Sequence, residues 1–353
     1  MNKKIAVLAG DGIGPEVTKE ARKVLDAIAK KYNHTFEYQE ADAGAIAIDR
    51  HGDPLPSSTL EICKNTDAVL FGAIGDPKYD NDPEAKVRPE QGLLKLRKEL
   101  QLFANLRPVM AFDSILDLSP LRENRIKGCD FIIYRELTGG IYFGEKKEDD
   151  GSGKASDLMY YEEEEIQRIA KLAFEAAQNR RKKITLVDKA NVLASSRLWR
   201  KVVQKLASDY PDVTLDFLFV DNAAMQVILN PSQFDVILTS NMFGDIISDE
   251  ASTISGSLGL LPSASIGVSS SMFEPIHGSY PQAKGQDIAN PMAAILSAAM
   301  MLEHWNLFDE ANSIKEAVNT CLENNYATVD INPGSAKKCS EVGDYIVHNI
   351  LKD

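Results

Sequence analysis

Two aspartates that lie four residues apart, Asp245 and Asp249 in the segment NMFGDIISDEAS, are groups that can do chemistry. On a helix this spacing projects both carboxylates from one face. Adjacent carboxylates repel each other unless a cation lies between them, and a donor set made only of oxygens favours Mg²⁺ or Mn²⁺. The preceding run FDVILT predicts a strand, so the pair follows a strand's carboxyl end, where α/β sites lie. A solvated helix face is the alternative interpretation.

Two other predicted strands also end in charged residues. The run TLVDK ends at Asp188 and Lys189, and LFVDN ends at Asp221 and Asn222. Because parallel strands present their carboxyl ends at one edge of a sheet, charged groups at three strand exits are able to converge on one crevice.

Three arginines form a second group: Arg97 and Arg107 in LLKLRKELQLFANLRPV, and Arg135 in YRELTGGIYFG. Together they would form a bidentate clamp for carboxylates, which predicts an anionic substrate. Tyr142 follows Arg135 by seven residues and is a candidate proton donor. The alternatives are surface ion pairs for the arginines and a core position for the tyrosine.

Two glycine-rich segments are candidates for nucleotide binding. AGDGIGPEV, residues 9–17, lies between a predicted strand and a predicted helix, but its glycines do not follow the Gly-x-Gly-x-x-Gly spacing of a dinucleotide fingerprint. EPIHGSYPQAKGQDIANP, residues 274–291, predicts a long ordered loop before a helix that begins at Met292. Its amides and the helix N-terminus suit a diphosphate.

The elements that must position these groups alternate between strand-like and helix-like runs. KKIAVLA precedes a helix whose apolar face carries Val17, Ala21, Val24, Leu25 and Ile28. Later runs alternate in the same way, which predicts an α/β fold with a largely parallel sheet. The polar segment 145–157 predicts a surface hairpin between the strand-like pieces GGIYFG and LMYY. The acidic run 162–165 predicts the start of a helix.

Composition limits the class of protein. A chain of 353 residues exceeds what one core usually serves, which favours two domains. A net charge of -13 argues against a nucleic-acid surface. The four cysteines have no paired spacing, there is no signal peptide, and no apolar run is long enough to cross a bilayer, so we expect a cytoplasmic protein that contacts no membrane.

Taken together, the motifs resemble those of the β-decarboxylating dehydrogenases, which include isopropylmalate, isocitrate, homoisocitrate and tartrate enzymes. The resemblance runs from GDGIGPE through FANLRP, RELTGGIYFG and VDKANVL to NMFGDIISDEAS and HGSYPQAKGQDIANP, and covers essentially the whole chain. It implies a two-domain α/β fold that is not a Rossmann fold. The first domain, residues 1–102 and 256–353, would bind the cofactor, and the second, 103–255, would form a homodimer with an arm near 142–160.

The resemblance also implies roles for the candidate residues. Arg97, Arg107 and Arg135 would hold the malate carboxylates. Asp245 and Asp249 would bind Mg²⁺ or Mn²⁺ together with Asp221 of the partner subunit. Proton transfer would involve Tyr142 and the partner subunit's Lys189. Hydride loss from C2 requires a base for the hydroxyl proton, and the enolate left by decarboxylation requires a proton at C3.

The substrate is inferred from the helix that carries Arg97. Where isocitrate enzymes offer Ser and Asn to a third carboxylate, this chain has Leu93 and Leu94, and Val192 would complete an apolar pocket. Such a wall suits an isopropyl group and rejects a charge. We therefore expect oxidation of (2R,3S)-3-isopropylmalate to 4-methyl-2-oxopentanoate in leucine biosynthesis. The alternatives are tartrate or malate, homoisocitrate or isocitrate oxidation, and a regulatory subunit without catalysis.

The resemblance places the cofactor NAD⁺ on residues of the first domain. Ile13 would lie against the nicotinamide ring, Glu90 would contact the nicotinamide ribose or amide as well as the substrate region, and Asp330 would repel the 2′-phosphate of NADP⁺. Gln282 stands where NAD-using relatives commonly have Asp; glutamine can form hydrogen bonds with ribose hydroxyls but brings no charge for a 2′-phosphate. The other predicted contacts are Gly75, Glu274, His277, Gly278, Ser279, Ala289 and Asn290.

Overall fold

The computed structural model describes residues 1–81 and 87–352 and divides the chain into two compact units. The first unit combines Met1–Leu102 with Ser255–Asp353, and the second is Phe103–Ile254. The cofactor-binding and dimer-forming roles expected of the two units stay predictions.

Strands and helices alternate along the chain, which confirms the predicted α/β class. The strands are Asn2–Gly10 (β1), Thr35–Glu40 (β2), Ala68–Ala73 (β3), Leu102–Met110 (β4), Asp130–Glu136 (β5), Lys146–Lys147 (β6), Ser156–Asp157 (β7), Lys183–Asp188 (β8), Thr214–Phe219 (β9), Val236–Thr239 (β10), Pro262–Gly267 (β11) and Met272–Pro275 (β12).

The helices are Gly14–Tyr32 (α1), Ala45–His51 (α2), Ser57–Lys64 (α3), Pro77–Asp80 (α4), Pro89–Glu99 (α5), Glu123–Ile126 (α6), Glu163–Gln178 (α7), Ala194–Ala207 (α8), Val220–Leu229 (α9), Asn241–Ser252 (α10), Met292–His304 (α11), Phe308–Glu323 (α12) and Cys339–Lys352 (α13). Short 3₁₀ turns lie at Asp113–Leu118, Gly140–Tyr142, Pro231–Gln233, Thr253–Ser255, Leu258–Leu260 and Pro281–Ala283.

In the first unit the strand order is β2-β1-β3-β12-β11, and every pair is parallel except β11 with β12. The predicted apolar face of α1 is fully buried. Every residue of α11 from Met292 to Leu302 is also buried, which explains why that helix shows almost no polar face.

In the second unit the strand order is β4-β5-β10-β8-β9, in which only β4 and β5 are antiparallel. Its core is built around Phe131 and Phe234, whose ring centroids lie 5.8 Å apart. Burying one such ring contributes roughly 1.5–3 kcal/mol to folding. The helix predicted at the acidic run is α7, which begins with a capping box between Glu162 and Glu165.

Two predicted strands are wrong. GIYFG forms a 3₁₀ turn at Gly140–Tyr142, and LMYY has no strand. Gly140 adopts a φ of 76°, a left-handed conformation that ends any extended run before Tyr142. The polar segment does form a hairpin, but its two strands are β6 and β7, with Lys146 opposite Asp157.

Of the helices that the structure describes, none combines the length and the apolar character needed to cross a membrane.

Candidate active site

Asp245, in the middle of α10, is contacted by two side chains that the sequence analysis assigned to the same site. The guanidinium of Arg135, at the end of β5, forms an ion pair with one carboxylate oxygen. The Tyr142 hydroxyl donates to the other at 2.7 Å. Burial, together with the hydrogen bond to Asp245, raises the pKa of Tyr142, and Arg135 opposes this shift. The hydroxyl therefore keeps its proton at neutral pH.

Arg135 itself is 5% exposed and is held by the first turn of α10. Its Nε donates to the Asn241 carbonyl at 3.0 Å, and its Nη2 donates to the Asn241 side chain at 3.0 Å. Gly244 makes room for this arginine, because a Cβ there would lie 2.6 Å from the Arg135 Cγ. The guanidinium is thus fixed in direction before any substrate arrives.

Arg107, in β4, approaches the second aspartate, one turn further along α10. It donates to Asp249 Oδ1 at 2.7 Å and to the Ser248 hydroxyl at 2.8 Å, and its Nε donates to Asn105 at 2.9 Å. The predicted helix and the shared face of Asp245 and Asp249 are therefore confirmed by α10.

The turn that leads to Tyr142 is organised by a fully buried carboxylate, Glu136. Its Oε1 accepts from the Thr138 amide at 2.8 Å and the Thr138 hydroxyl at 2.6 Å, and its Oε2 accepts from the Gly139 amide at 2.8 Å. Burial raises the pKa of this carboxyl above its ordinary value, and the three donors oppose this shift without cancelling it. All three contacts come from donors, and the ionised carboxylate can accept from each of them.

Lys189 and Asp221 form a separate pair in the second unit. Asp221 lies in the first turn of α9, not at a strand end as predicted, and accepts from the Lys189 ammonium at 2.8 Å. This hydrogen bond lowers the pKa of Asp221, whose side chain is 66% exposed. Asp188, the neighbouring strand-exit residue, is buried in an ion pair with Arg200 and is structural.

The two helix aspartates fit a hard cation by their chemistry. Both supply only oxygen atoms, and their side chains are 34% and 69% exposed, so a ligand can reach them. Within residues 1–81 and 87–352, however, no three His, Cys, Asp or Glu side chains are grouped to hold a metal. A complete site would therefore need at least one further ligand, from water, substrate or another chain.

In the first unit, the opening loop after β1 contacts the second glycine-rich segment. The Ile13 amide donates to the Ser279 carbonyl at 2.8 Å, and a Cβ at Gly12 would lie 1.9 Å from that oxygen. The Ile13 side chain is buried. Buried Asp11 accepts from the Ala45 and Gly75 amides, and so ties the loop to α2 and to the end of β3.

Three of the predicted cofactor residues of the first unit, Ile13, Gly75 and Glu90, lie near Ser279. An added Cβ at Gly75 would lie 3.3 Å from Glu90 Oε1 and 3.4 Å from Ser279 Oγ. Gly278 is exposed with free space above its Cα, and the buried Nε2 of His277 has no hydrogen-bond partner. Burial lowers the pKa of His277, which keeps its ring neutral. An orphaned buried nitrogen beside an open glycine fits a polar ligand on this loop.

The end of the loop is held by Asp330. Its carboxylate accepts from Ser257 at 2.5 Å, from Thr328 at 2.5 Å and from Asn290 at 3.0 Å. Ala289 and Asn290 are buried, and Asn290 also caps α11 through the Met292 amide. Gln282 is exposed. Glu274 belongs to β12, not to the loop, and pairs with Arg97 at 3.1 Å.

The apolar positions predicted to select the substrate are accessible. Leu94 is 48% exposed on α5, Leu93 is half-buried, and neither is among the core residues of that helix. Val192 is 63% exposed in the second unit.

A family model described as isocitrate/isopropylmalate dehydrogenase matches residues 4–346. The chain belongs to this family. It is 56% identical, over all of both chains, to the 3-isopropylmalate dehydrogenase of Bacteroides fragilis strain YCH46, and 54% identical to that of Priestia megaterium, covering 95% of this chain and 92% of the relative.

Solved structures of the family have the same fold. An isocitrate dehydrogenase from Methylococcus capsulatus superposes with a TM-score of 0.87 at 33% identity, covering 99% of both chains. A β-decarboxylating dehydrogenase from Thermococcus kodakarensis gives 0.83 at 35% identity, covering 99% of this chain and 96% of the other. The chain is therefore an oxidoreductase of the isocitrate/isopropylmalate dehydrogenase type.

The sequence analysis assigned no role to several residues around this candidate site. Asn241, Gly244 and Ser248 share one face of α10, and the spacing N-x-x-G-D-x-x-S-D was the available signal. Asp11 directly follows β1, and Glu136 is the last residue of β5; both acids are buried. An acid at a strand end does not by itself separate structural carboxylates from reactive ones.

Proposed function

We propose that the enzyme oxidises (2R,3S)-3-isopropylmalate with NAD⁺ and releases CO₂ to give 4-methyl-2-oxopentanoate, a step of leucine biosynthesis. Full-length identity of 56% to a 3-isopropylmalate dehydrogenase carries this proposal. The exposed Leu94 on the helix of Arg97 supports it, because an apolar side chain that loses its water against a bound substrate accommodates an isopropyl group and penalises a carboxylate.

The residues of the second unit suit the proposed steps. Arg107 and Arg135 are oriented donors for substrate carboxylates, and Arg97 would add a third from the first unit. Lys189 would act as a neutral amine that accepts the C2 hydroxyl proton, so the ammonium paired with Asp221 must first lose a proton. Tyr142, which keeps its proton at neutral pH, would donate one to C3. A divalent metal bound by Asp245 and Asp249 would stabilise negative charge on the C2 oxygen.

Parallel assays of 3-isopropylmalate, isocitrate and tartrate with NAD⁺ and Mn²⁺ test the substrate. We expect isopropylmalate to have the highest kcat/KM. Replacing Leu94 by Ser should lower the preference for isopropylmalate, and Lys98→Ser on the same helix is the matched control. A wild-type enzyme that prefers isocitrate or tartrate contradicts the proposal.

Preference for NAD⁺ over NADP⁺ is proposed from Asp330. Three donors hold this carboxylate in place, so a 2′-phosphate near it would meet a fixed negative charge. Lys284, a cation of the same loop, lines a cavity of about 320 Å³ with the carboxylates of Asp49 and Asp76. Comparable kcat/KM values for the two dinucleotides would contradict the preference.

We also propose a homodimer in which Lys189 and Asp221 complete the partner's site. Two observations support it. The structure brings two helix aspartates together but no third metal ligand among the residues it describes. An apolar surface also lies exposed on α9 and α10, formed by Met225, Ile228, Leu229 and Ile246.

The four cysteines are unpaired, which supports a reducing compartment such as the cytoplasm.

Mixed dimers test the sharing of residues. Tyr142→Phe and Lys189→Ala chains, each inactive alone, are co-expressed with different tags. If Tyr142 and Lys189 of one site come from different subunits, each mixed dimer has one intact site, and the mixture regains about a quarter of wild-type activity. If both residues come from one subunit, no dimer has an intact site and no activity returns.

A further inference from the structure

The loop between β12 and α11, residues 276–291, is attached to α1 through one side chain. Glu16, in the first turn of α1, accepts from the Gly285 amide at 2.5 Å with Oε1 and from the Asp287 amide at 3.1 Å with Oε2. A carboxylate that accepts two backbone donors fixes both peptide planes. The proposed function leaves this contact unexplained, since Glu16 lies outside every role assigned above.

The same segment also holds the first half of the loop. The Ile13 amide donates to the Ser279 carbonyl at 2.8 Å, and Gly12, with a φ of 57°, allows this approach. Residues 12–16 therefore contact the loop at two places, one near His277 and one at 285–287. The glycine-rich segment after β1 thus serves as a support for a loop far away in the sequence.

A second anchor fixes the loop from the other side. Asp287 has a φ of 57°, which is unusual for a residue other than glycine. Its carboxylate accepts from the Ser340 amide at 2.8 Å and from the Ser340 hydroxyl at 2.6 Å, and its carbonyl accepts from the Cys339 amide at 2.8 Å. Residues 285–287 are therefore held between the N-termini of α1 and α13, which pack against each other.

We propose that Glu16 is a positioning residue for the dinucleotide, because it holds residues 285–287 in the conformation that receives the cofactor. This inference rests on the proposed function, in which the loop carries NAD⁺. A loop that is ordered before binding spares the ligand the entropy cost of ordering it, so loss of the anchor lowers affinity without changing the reacting groups.

The Glu16→Gln variant tests the proposal. Glutamine has one acceptor oxygen, so its amide nitrogen would face one of the two backbone N–H donors and a charge-assisted hydrogen bond would be lost. We expect the Kd of NAD⁺ and of ADP-ribose, measured by calorimetry, to rise about tenfold. The KM of NAD⁺ should rise by the same factor, whereas kcat and the KM of isopropylmalate should stay within about twofold of wild type.

Two further variants complete the test. Glu61→Gln, at an exposed position of α3 in the same unit, removes the same charge and should bind NAD⁺ like wild type. Asp287→Gly keeps the left-handed backbone but removes the Ser340 contacts, and should weaken NAD⁺ binding in the same way as Glu16→Gln. It also carries the test if Glu16→Gln does not fold.

The outcomes separate the two proposals. An unchanged Kd of NAD⁺ in folded Glu16→Gln and Asp287→Gly overturns this inference even if the wild type oxidises isopropylmalate. An equal loss in Kd, kcat and the KM of isopropylmalate also overturns it, because that pattern indicates general damage. If the wild type binds NAD⁺ but does not oxidise isopropylmalate, the proposed function fails, while a tenfold weaker Kd in Glu16→Gln still supports the positioning role.

Discussion

Replacing Glu136 by Gln removes one negative charge from the turn that presents Tyr142 and changes almost nothing else in size. The glutamine oxygen can keep the two hydrogen bonds from Thr138. Its amide nitrogen would then face the Gly139 amide, which now donates to Oε2 at 2.8 Å. Two N–H groups that face each other in this fully buried position would both lack an acceptor.

The expected cost follows from that one contact. A hydrogen bond to a charged group contributes about 1.5–3 kcal/mol, and the buried amide left without an acceptor makes the upper half of this range the better expectation. Arg168, whose Nη2 lies 3.7 Å from Glu136 and which is partly exposed, adds little. We therefore expect the second unit to lose about 2–3 kcal/mol of stability. A displaced Tyr142 should also lower kcat tenfold to about a hundredfold.

Urea unfolding measures the first effect. Trp199 is buried in the second unit, with its ring 5.5 Å from that of Tyr161, whereas Trp305 belongs to the first unit. In a Trp305→Phe background, fluorescence therefore reports the second unit. Initial rates with isopropylmalate, taken where both proteins are folded, measure the second effect. Glu164→Gln, an exposed position on α7, is the matched control.

An unchanged midpoint together with an unchanged kcat would refute the argument, because the buried group would then be a neutral acceptor that glutamine replaces without loss. A lower midpoint with unchanged kcat would show that the turn does not position Tyr142.

Three other changes have expected outcomes. Arg107→Lys keeps the charge but loses the simultaneous contacts to Asn105, Ser248 and Asp249, so the KM of isopropylmalate should rise more than about tenfold in initial-rate assays. Chelation by EDTA should abolish turnover, and Asp249→Asn should raise the Mn²⁺ concentration needed to restore it; restoration at the wild-type concentration would argue against this ligand. Burial raises the pKa of the Cys63, Cys129 and Cys321 thiols to about 12. Ellman's reagent at pH 8 should therefore react with these thiols only in unfolded protein. Because these thiols ionise at a lower pH in the unfolded chain than in the folded one, the free energy of unfolding should fall as the pH rises from about 9 towards 12. Replacing any one of these cysteines by alanine should make this fall less steep.

Spacing in the sequence predicted those features that depend on local geometry. The helical repeat alone predicted that Asp245 and Asp249 share one face of a helix. The same repeat predicted the apolar face of α1. The strand predicted at GIYFG is wrong because the apolar residues of this run follow a strand-like pattern, whereas Gly140 turns the chain against the Tyr161 ring. That contact joins residues distant in the sequence, and no local pattern carries it.

The contacts of the arginines were predictable only in part. Their type indicated carboxylate partners, but the structure pairs Arg135 with Asp245 and Arg107 with Asp249, both on a helix more than a hundred residues away. Glu16 shows the same limit, since a glutamate in the first turn of a helix is fully explained by the helix dipole until its contacts with residues 285–287 are seen.

The pairing of arginines and aspartates on α10 has a thermodynamic consequence. Two guanidinium charges face two carboxylate charges, so this cluster is electrically balanced as it stands. A dianion alone or a dication alone would unbalance it by two charges, whereas the two together leave it neutral. Substrate and Mn²⁺ should therefore bind with positive coupling, each lowering the dissociation constant of the other by the same factor.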